Sequence, residues 1–231
     1  MSNFPSPAAV ATPEWQNHDV PLMARLTSWI SHPDRMKGAW VTEAELSLVF
    51  GVSRTPLREA LNQLNGIGLI RRQRSRSIEI PPLSVADMVQ LSRTREELEA
   101  LITVQVTERH IAREIEIGSL ERINRQMGAL AAIGDTGVVL ATGRDFHGEM
   151  RLLSGNHVAS FLLEQLMLRM ERYRQCILSL QGRSSEIVHE HDQMLEAIRA
   201  GDTSAAAHAA RAHIVHARAF YRDELIKHGL L

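Results

Sequence analysis

The sequence predicts a mainly α protein in two parts. A small N-terminal unit of three helices and a β-hairpin precedes an all-helical antiparallel bundle of about six helices. Three observations carry this expectation. Apolar residues recur at helical spacing over most of the 231 positions, and only ten residues are aromatic, so aliphatic helices supply the core. Pro81-Pro82 separates a segment containing two strand-like runs from a remainder that has none. Charge is also unevenly placed. The net charge is −1, yet residues 20–83 hold nine arginines or lysines against five acids, and residues 84–231 hold seventeen against twenty.

Residues 1–18, with Pro5, Pro7 and Pro13 among small and polar side chains, have no period and are expected to form a mobile tail. The N-terminal unit then spans 19–83. Leu22, Leu26, Trp29 and Ile30 share one face of a first helix over 20–31, and His32 to Trp40 reads as a loop. Thr42 is placed to cap a short helix over 43–50, and Gly51 supplies the turn that follows. Ser53 is placed to cap the next helix, and Pro56 falls in its first turn, where a missing N–H costs little. Leu69 to Arg72 and Ser77 to Ile80 read as two short strands around a basic turn. Helix, glycine turn, helix and hairpin together make a winged helix-turn-helix.

Within the third helix, Leu57, Ala60, Leu61 and Leu64 form the apolar face, while Arg54, Thr55, Arg58 and Asn62 lie opposite. An ordinary solvated helix face shows arginines at this spacing as well. The surrounding turn, hairpin and basic surplus favour DNA, because phosphate contacts supply much of the affinity for it. Arg54, Thr55 and Arg58 on the helix, and Arg74, Ser75 and Arg76 at the hairpin turn, are the candidate DNA-binding residues. The run Val52-Ser53-Arg54-Thr55-Pro56-Leu57-Arg58-Glu59-Ala60-Leu61 closely resembles the recognition-helix signature of the GntR family of bacterial transcription regulators. Ser77 stands where relatives usually carry glycine.

Residues 84–231 form the second unit. Ser84 is placed to cap a long helix to about Glu114. Further helices are expected from Gly118, over about 138–153, from the Ser154-Gly155-Asn156 turn to about Leu180, over 186–200 and over 203–227. Arg95-Glu96-Glu97-Leu98-Glu99, Phe146-His147, Ser154-Gly155-Asn156, Glu190-His191, Ala200-Gly201-Asp202 and Arg211-Ala212-His213 resemble, in order and spacing, the FCD effector domain of the FadR branch of that family. The resemblance implies a dimer on a near-palindromic double-stranded DNA operator, controlled by a small organic acid.

The chain has eleven histidines, and three fall on apolar helix faces: His147 beside Phe146, Met150 and Leu153; His191 beside Met194, Leu195 and Ile198; His213 beside Ala210, Ile214 and Ala217. Any one of them could be a hydrogen-bonded core residue. Three together fit a divalent cation, with zinc or nickel as candidates, since each buried imidazole needs partners. The resemblance implies this metal set of three histidines, and adds an Asp or Asn one turn before the first, where this chain has Gly143. Asp145 lies on the opposite face of that helix. A water or effector group in the fourth position, a local helix shift and a loss of the metal all remain open.

Arg95 and Arg169 also fall on inward faces. Each is read either as half of an internal salt bridge or as a clamp for a carboxylate effector. No apolar run is long enough for a membrane span, no signal peptide is evident, and Cys176 stands alone, so a cytoplasmic location is expected. The expected function is that of a regulator and not an enzyme. A metal-dependent hydrolase in the bundle, or a bundle that only dimerises, are the competing readings.

Overall fold

The structure, a computed structural model, describes residues 14–73, 77–134, 136–175, 183–227 and 229. It divides into two compact units, Met1–Pro82 and Leu83–Leu231.

The first unit contains α1 (Leu22–Ile30), β1 (Ala39–Thr42), α2 (Glu43–Phe50), α3 (Arg54–Gly66), β2 (Arg71–Arg72) and β3 (Ser77–Ile80). The three helices meet over Leu26, Trp29, Ile30, Leu46, Phe50, Leu57, Leu61 and Leu64, and the sheet closes this core with Ile78 and Ile80. The sheet is antiparallel in the order β1-β3-β2, so the hairpin is joined by a third strand that begins at the end of the expected His32–Trp40 loop and runs on to Thr42. Ala39 pairs with Ile80 and Thr42 with Ser77. A four-residue strand defined by pairing with residues about forty positions away leaves little local pattern to read.

Thr42 ends β1 and caps α2 at once. Its Oγ1 accepts from the Glu45 amide at 3.2 Å, while the Glu45 carboxylate accepts from the Thr42 amide at 2.7 Å. Gly51 closes α2 in the left-handed region at φ +63°. Ser53 precedes α3 with extended backbone, but its side chain makes no capping bond. The α2–α3 turn is held instead by Ser47 Oγ donating to the Val52 carbonyl at 2.6 Å. Part of the stretch expected as a tail over residues 1–18 is described. Residues 14–16 form a 3-10 turn, and buried Arg25 donates to the Trp15 carbonyl at 2.9 Å and to the Phe50 carbonyl at 3.2 Å. The rest of that tail, residues 1–13, lies outside the described residues, as does the wing tip, residues 74–76.

The second unit holds α4 (Val85–Ile111), α5 (Gly118–Ala132), α6 (Thr136–Ser154), α7 (His157–Gln175), α8 (Ser184–Ala200) and α9 (Thr203–Lys227). The expected end of α7 near Leu180 falls outside the described residues. Short polar caps start three of these helices. Ser84 Oγ accepts from the Asp87 amide, Asn156 Oδ1 from Ala159 and Asp202 Oδ1 from Ala205. Helix α4 packs against α6, α7, α8 and α9, most extensively against α9. The α9 face buries Ala206, Ala207, Ala210 and Ala217, small residues that let helix backbones approach. The core of this unit is built from Ile102, Val106, Leu120, Phe146, Met150, Leu163, Leu195 and Ile198.

Candidate metal centre and DNA-reading face

On the first unit, α3 buries Leu57, Ala60, Leu61 and Leu64 and turns Arg54, Thr55 and Arg58 outward. Arg54 makes no ion pair among the described residues, and it sits in the first turn, where the free amides of α3 add partial positive charge. Arg58 is placed differently. Its Nε donates to Glu43 Oε2 at 2.8 Å. The same carboxylate, only 7% exposed as a residue, is held through its other oxygen by Arg72, which also donates to Asn62. Glu43 thus ties α2, α3 and the wing strand β2 together, and Arg58 faces α2 as well as the outer surface. Arg74, Ser75 and Arg76 lie outside the described residues.

In the bundle, α6, α8 and α9 bring His147, His191 and His213 together, each offering a nitrogen within 4.8 Å of the others. His147 and His213 face each other Nε2 to Nε2 at 3.2 Å. Two nitrogens bound to one zinc at about 2.0–2.1 Å in tetrahedral geometry stand about 3.3 Å apart, so this spacing suits a shared ion. Their outer nitrogens are occupied. His147 Nδ1 lies 3.3 Å from Glu99 Oε2, and His213 Nδ1 lies 2.7 Å from Glu190 Oε2. A carboxylate at Nδ1 fixes the tautomer and leaves the Nε2 lone pair facing inward. His191, fully buried, stacks on Phe146 at a centroid distance of 4.0 Å, and neither of its ring nitrogens has a partner among the described residues.

Burial sets the protonation of this group. It drives His191 well below its ordinary value, with His213 and His147 adding to the effect. It also pulls His213 down to about 4, against the opposing hydrogen bond from Glu190. Burial alone would raise the two carboxyls. Instead His147 and Arg95 hold Glu99 well below the usual range, and His213 with Arg183 holds Glu190 at about 2. The result is that burial disfavours the charged form of His191 and His213, while both carboxyls stay ionised.

Arg95 lines the cavity beside the histidines but is not free, since its Nε donates to Glu99 at 3.1 Å. Arg169 does not line it. It pairs with Asp87 in the first turn of α4, so of its two readings the internal salt bridge is the one seen here. The reason lies in the α7 face it shares with Tyr173, which also packs on the start of α4. Gly143 lines the cavity without contributing a ligand, and Asp145 is exposed. Glu99 and Glu190 were not anticipated as site residues. The signal was Glu99 one turn after inward-facing Arg95, and Glu190 adjoining His191.

Two family models match the chain. The FCD domain covers residues 90–216, and the gntR family of bacterial regulatory proteins covers residues 21–80. The chain belongs to the GntR family and carries an FCD domain. This GntR regulator is 26% identical over 181 residues to the uncharacterized HTH-type transcriptional regulator YdhC of Bacillus subtilis (strain 168), covering 78% of this chain and 80% of that one. It is 29% identical over 183 residues to a probable D-xylose utilization operon transcriptional repressor of Paenarthrobacter nicotinovorans, covering 77% and 76%. Among solved structures it resembles E. coli McbR/YncC with a TM-score of 0.70, covering 89% of this chain and 99% of that one at 19% identity, a likeness of fold. The relatives and families are transcription regulators, so the GntR regulator is one too, and the hydrolase reading is set aside. Among the described residues, no helix is long and apolar enough to cross a membrane.

The neutral histidines give a pH dependence with a definite sign. In metal-free protein, the unfolded chain binds more protons than the fold between the ordinary histidine value of 6.5 and about 4, where His213 itself protonates. Stability therefore falls as pH drops through that window, by up to about 1.4 kcal/mol per pH unit for each buried histidine. Denaturant melts of chelated protein from pH 7 to 4 should show this slope, and His213→Asn should flatten it.

Proposed function

We propose that this GntR regulator is a FadR-branch protein that binds a near-palindromic operator as a dimer. A small organic acid controls it by binding beside a divalent metal held by His147, His191 and His213. The observation that carries the metal reading is His191, whose two ring nitrogens are buried with no partner among the described residues, its ring centroid 4.9 Å from that of His213. An unpaired buried polar group costs about 1–3 kcal/mol, and coordination of one nitrogen removes much of that cost. Glu99 and Glu190 hold their histidines in the tautomer a cation requires. When bound, the ion supplies open coordination positions for the oxygens of an acid. Gly143 leaves the protein with three neutral ligands, so those positions are more numerous and the charge less offset than in a site with a fourth, anionic ligand.

DNA reading rests on α3. Arg54 is outward and makes no ion pair among the described residues, so it is the residue to form a bidentate pair with a guanine edge. Arg58 serves from a position steered by Glu43, reaching phosphate or base only as that pair loosens. Arg74, Ser75 and Arg76 remain wing contacts to the backbone. For the dimer, α7 exposes Val158, Phe161 and Leu162 at helical spacing, Phe161 at 60%. A second copy meeting the same face forms a two-fold contact matched to a palindrome.

Three measurements test these parts separately. Arg54→Ala should weaken operator binding by about 1–3 kcal/mol and blur base preference, and unchanged affinity and selectivity would overturn the recognition-helix assignment. Protein purified without chelator or affinity tag should contain about one metal per chain, lose thermal stability on chelation and regain it with zinc or nickel. Metal-free protein that ignores both ions, together with a harmless His191→Ala, would return the histidines to the core. Phe161→Glu should shift the mass by light scattering toward the monomer and lower operator affinity, whereas an unchanged mass would place the dimer contact elsewhere.

A further inference from the structure

The cavity beside the histidines has a volume of about 180 Å³, and its lining carries more positive charge than the imidazole centre explains. Among the described residues that line it are five arginines, Arg95, Arg144, Arg151, Arg174 and Arg183, against the single carboxylate of Glu99. Three of these arginines have acidic partners, with Arg95 on Glu99 at 3.1 Å, Arg174 on Glu171 at 2.9 Å and Arg183 on Glu190 at 2.7 Å. Glu99 and Glu190 are already shared with His147 and His213. Neither Arg144 nor Arg151 has a carboxylate partner among the described residues.

Those two arginines are placed by one helix. On α6, Arg144 lies three residues before His147 and Arg151 four residues after it, so the three side chains lie along one face. Gly143, on the same wall, adds no compensating charge. Arg144 is exposed and Arg151 partly so, which leaves both open to solvent. A planar guanidinium is weakly hydrated and pairs well with carboxylate or phosphoryl oxygens, so exchanging water for an anion there is favourable. Leu140, Met167, Ile187, Ala217 and Phe220 supply an apolar wall.

We propose that the effector is a small doubly anionic acid. One carboxylate is directed to the histidine centre and Arg95, the second anionic group is taken by Arg144 and Arg151, and a short apolar body lies between. This rests on the metal-centre reading for the first anion only. The second anion is a carboxylate or a phosphoryl group, which present the same chemistry to arginine.

The test uses full-length protein, zinc-loaded and metal-free, titrated calorimetrically with glutarate, phosphoglycolate and butyrate. Glutarate or phosphoglycolate should bind the loaded protein at least about tenfold more tightly than butyrate. Whichever of the two binds more tightly identifies the second group. The double variant Arg144→Gln/Arg151→Gln should lose about tenfold or more for the dianion, while its butyrate affinity, zinc content and melting temperature stay as in the parent. Butyrate binding as tightly as both dianions, or a double variant that keeps full dianion affinity, would overturn the proposal. If no zinc is taken up, the metal reading fails alone. Dianions must then raise the melting temperature of the metal-free parent but not of the double variant, and failure to do so overturns the arginine site as well.

Discussion

The bundle's interior turns on holding three imidazoles in fixed orientations inside a space where charge is costly. Phe146 fixes the plane of His191 by stacking, and the carboxylates of Glu99 and Glu190 fix His147 and His213 through their outer nitrogens. Those carboxylates are themselves buried, and buried acids stay ionised only when paired. Arg95 and Arg183 supply the pairing. The site is therefore three layers deep, with arginine holding glutamate and glutamate holding histidine. Removing an outer layer would disturb the orientation of the imidazoles without touching them.

The DNA-reading unit uses a related device for another purpose. Glu43 is buried at the start of α2 and holds Arg58 of α3 and Arg72 of β2. One carboxylate thereby fixes the recognition helix relative to the strand that carries the wing. It also sets up a competition, because an arginine paired with Glu43 is withheld from phosphate. Arg54 faces no such competitor among the described residues, so of the two outward arginines of α3 one is tethered and the other is not.

Most of this fold was legible because its elements are long or strongly punctuated. Helix α2 runs from the Thr42 cap to Gly51 as its pattern required, and α8 and α9 are divided at Gly201-Asp202. Strand β1 was not legible, since its existence depends on pairing with β3 rather than on its own four residues. The histidine faces could be read from helical period alone, and the structure brings those three rings together. Their carboxylate partners could not, because Glu99 and His147 meet only once α4 packs on α6. Arg169 shows the same limit in reverse. Period placed it on an inward face, but only the fold reveals that the neighbour there is Asp87 and not the cavity.

That misplaced arginine locates a mechanical constraint. Helix α7 touches the cavity through Met167 and Arg174 and touches the start of α4 through Arg169 and Tyr173. The Tyr173 hydroxyl lies 3.1 Å from the Ser84 carbonyl and 3.0 Å from the Asp87 carboxylate, and Ser84 follows Pro82 by two residues. A ligand that shifts α7 relative to α4 must strain these bonds at the beginning of the bundle. Coupling between sites is a difference in free energy between two arrangements, and a few polar bonds of about 1 kcal/mol each are enough to set one of useful size. Helix α7 thus both lines the cavity and bonds to the start of α4.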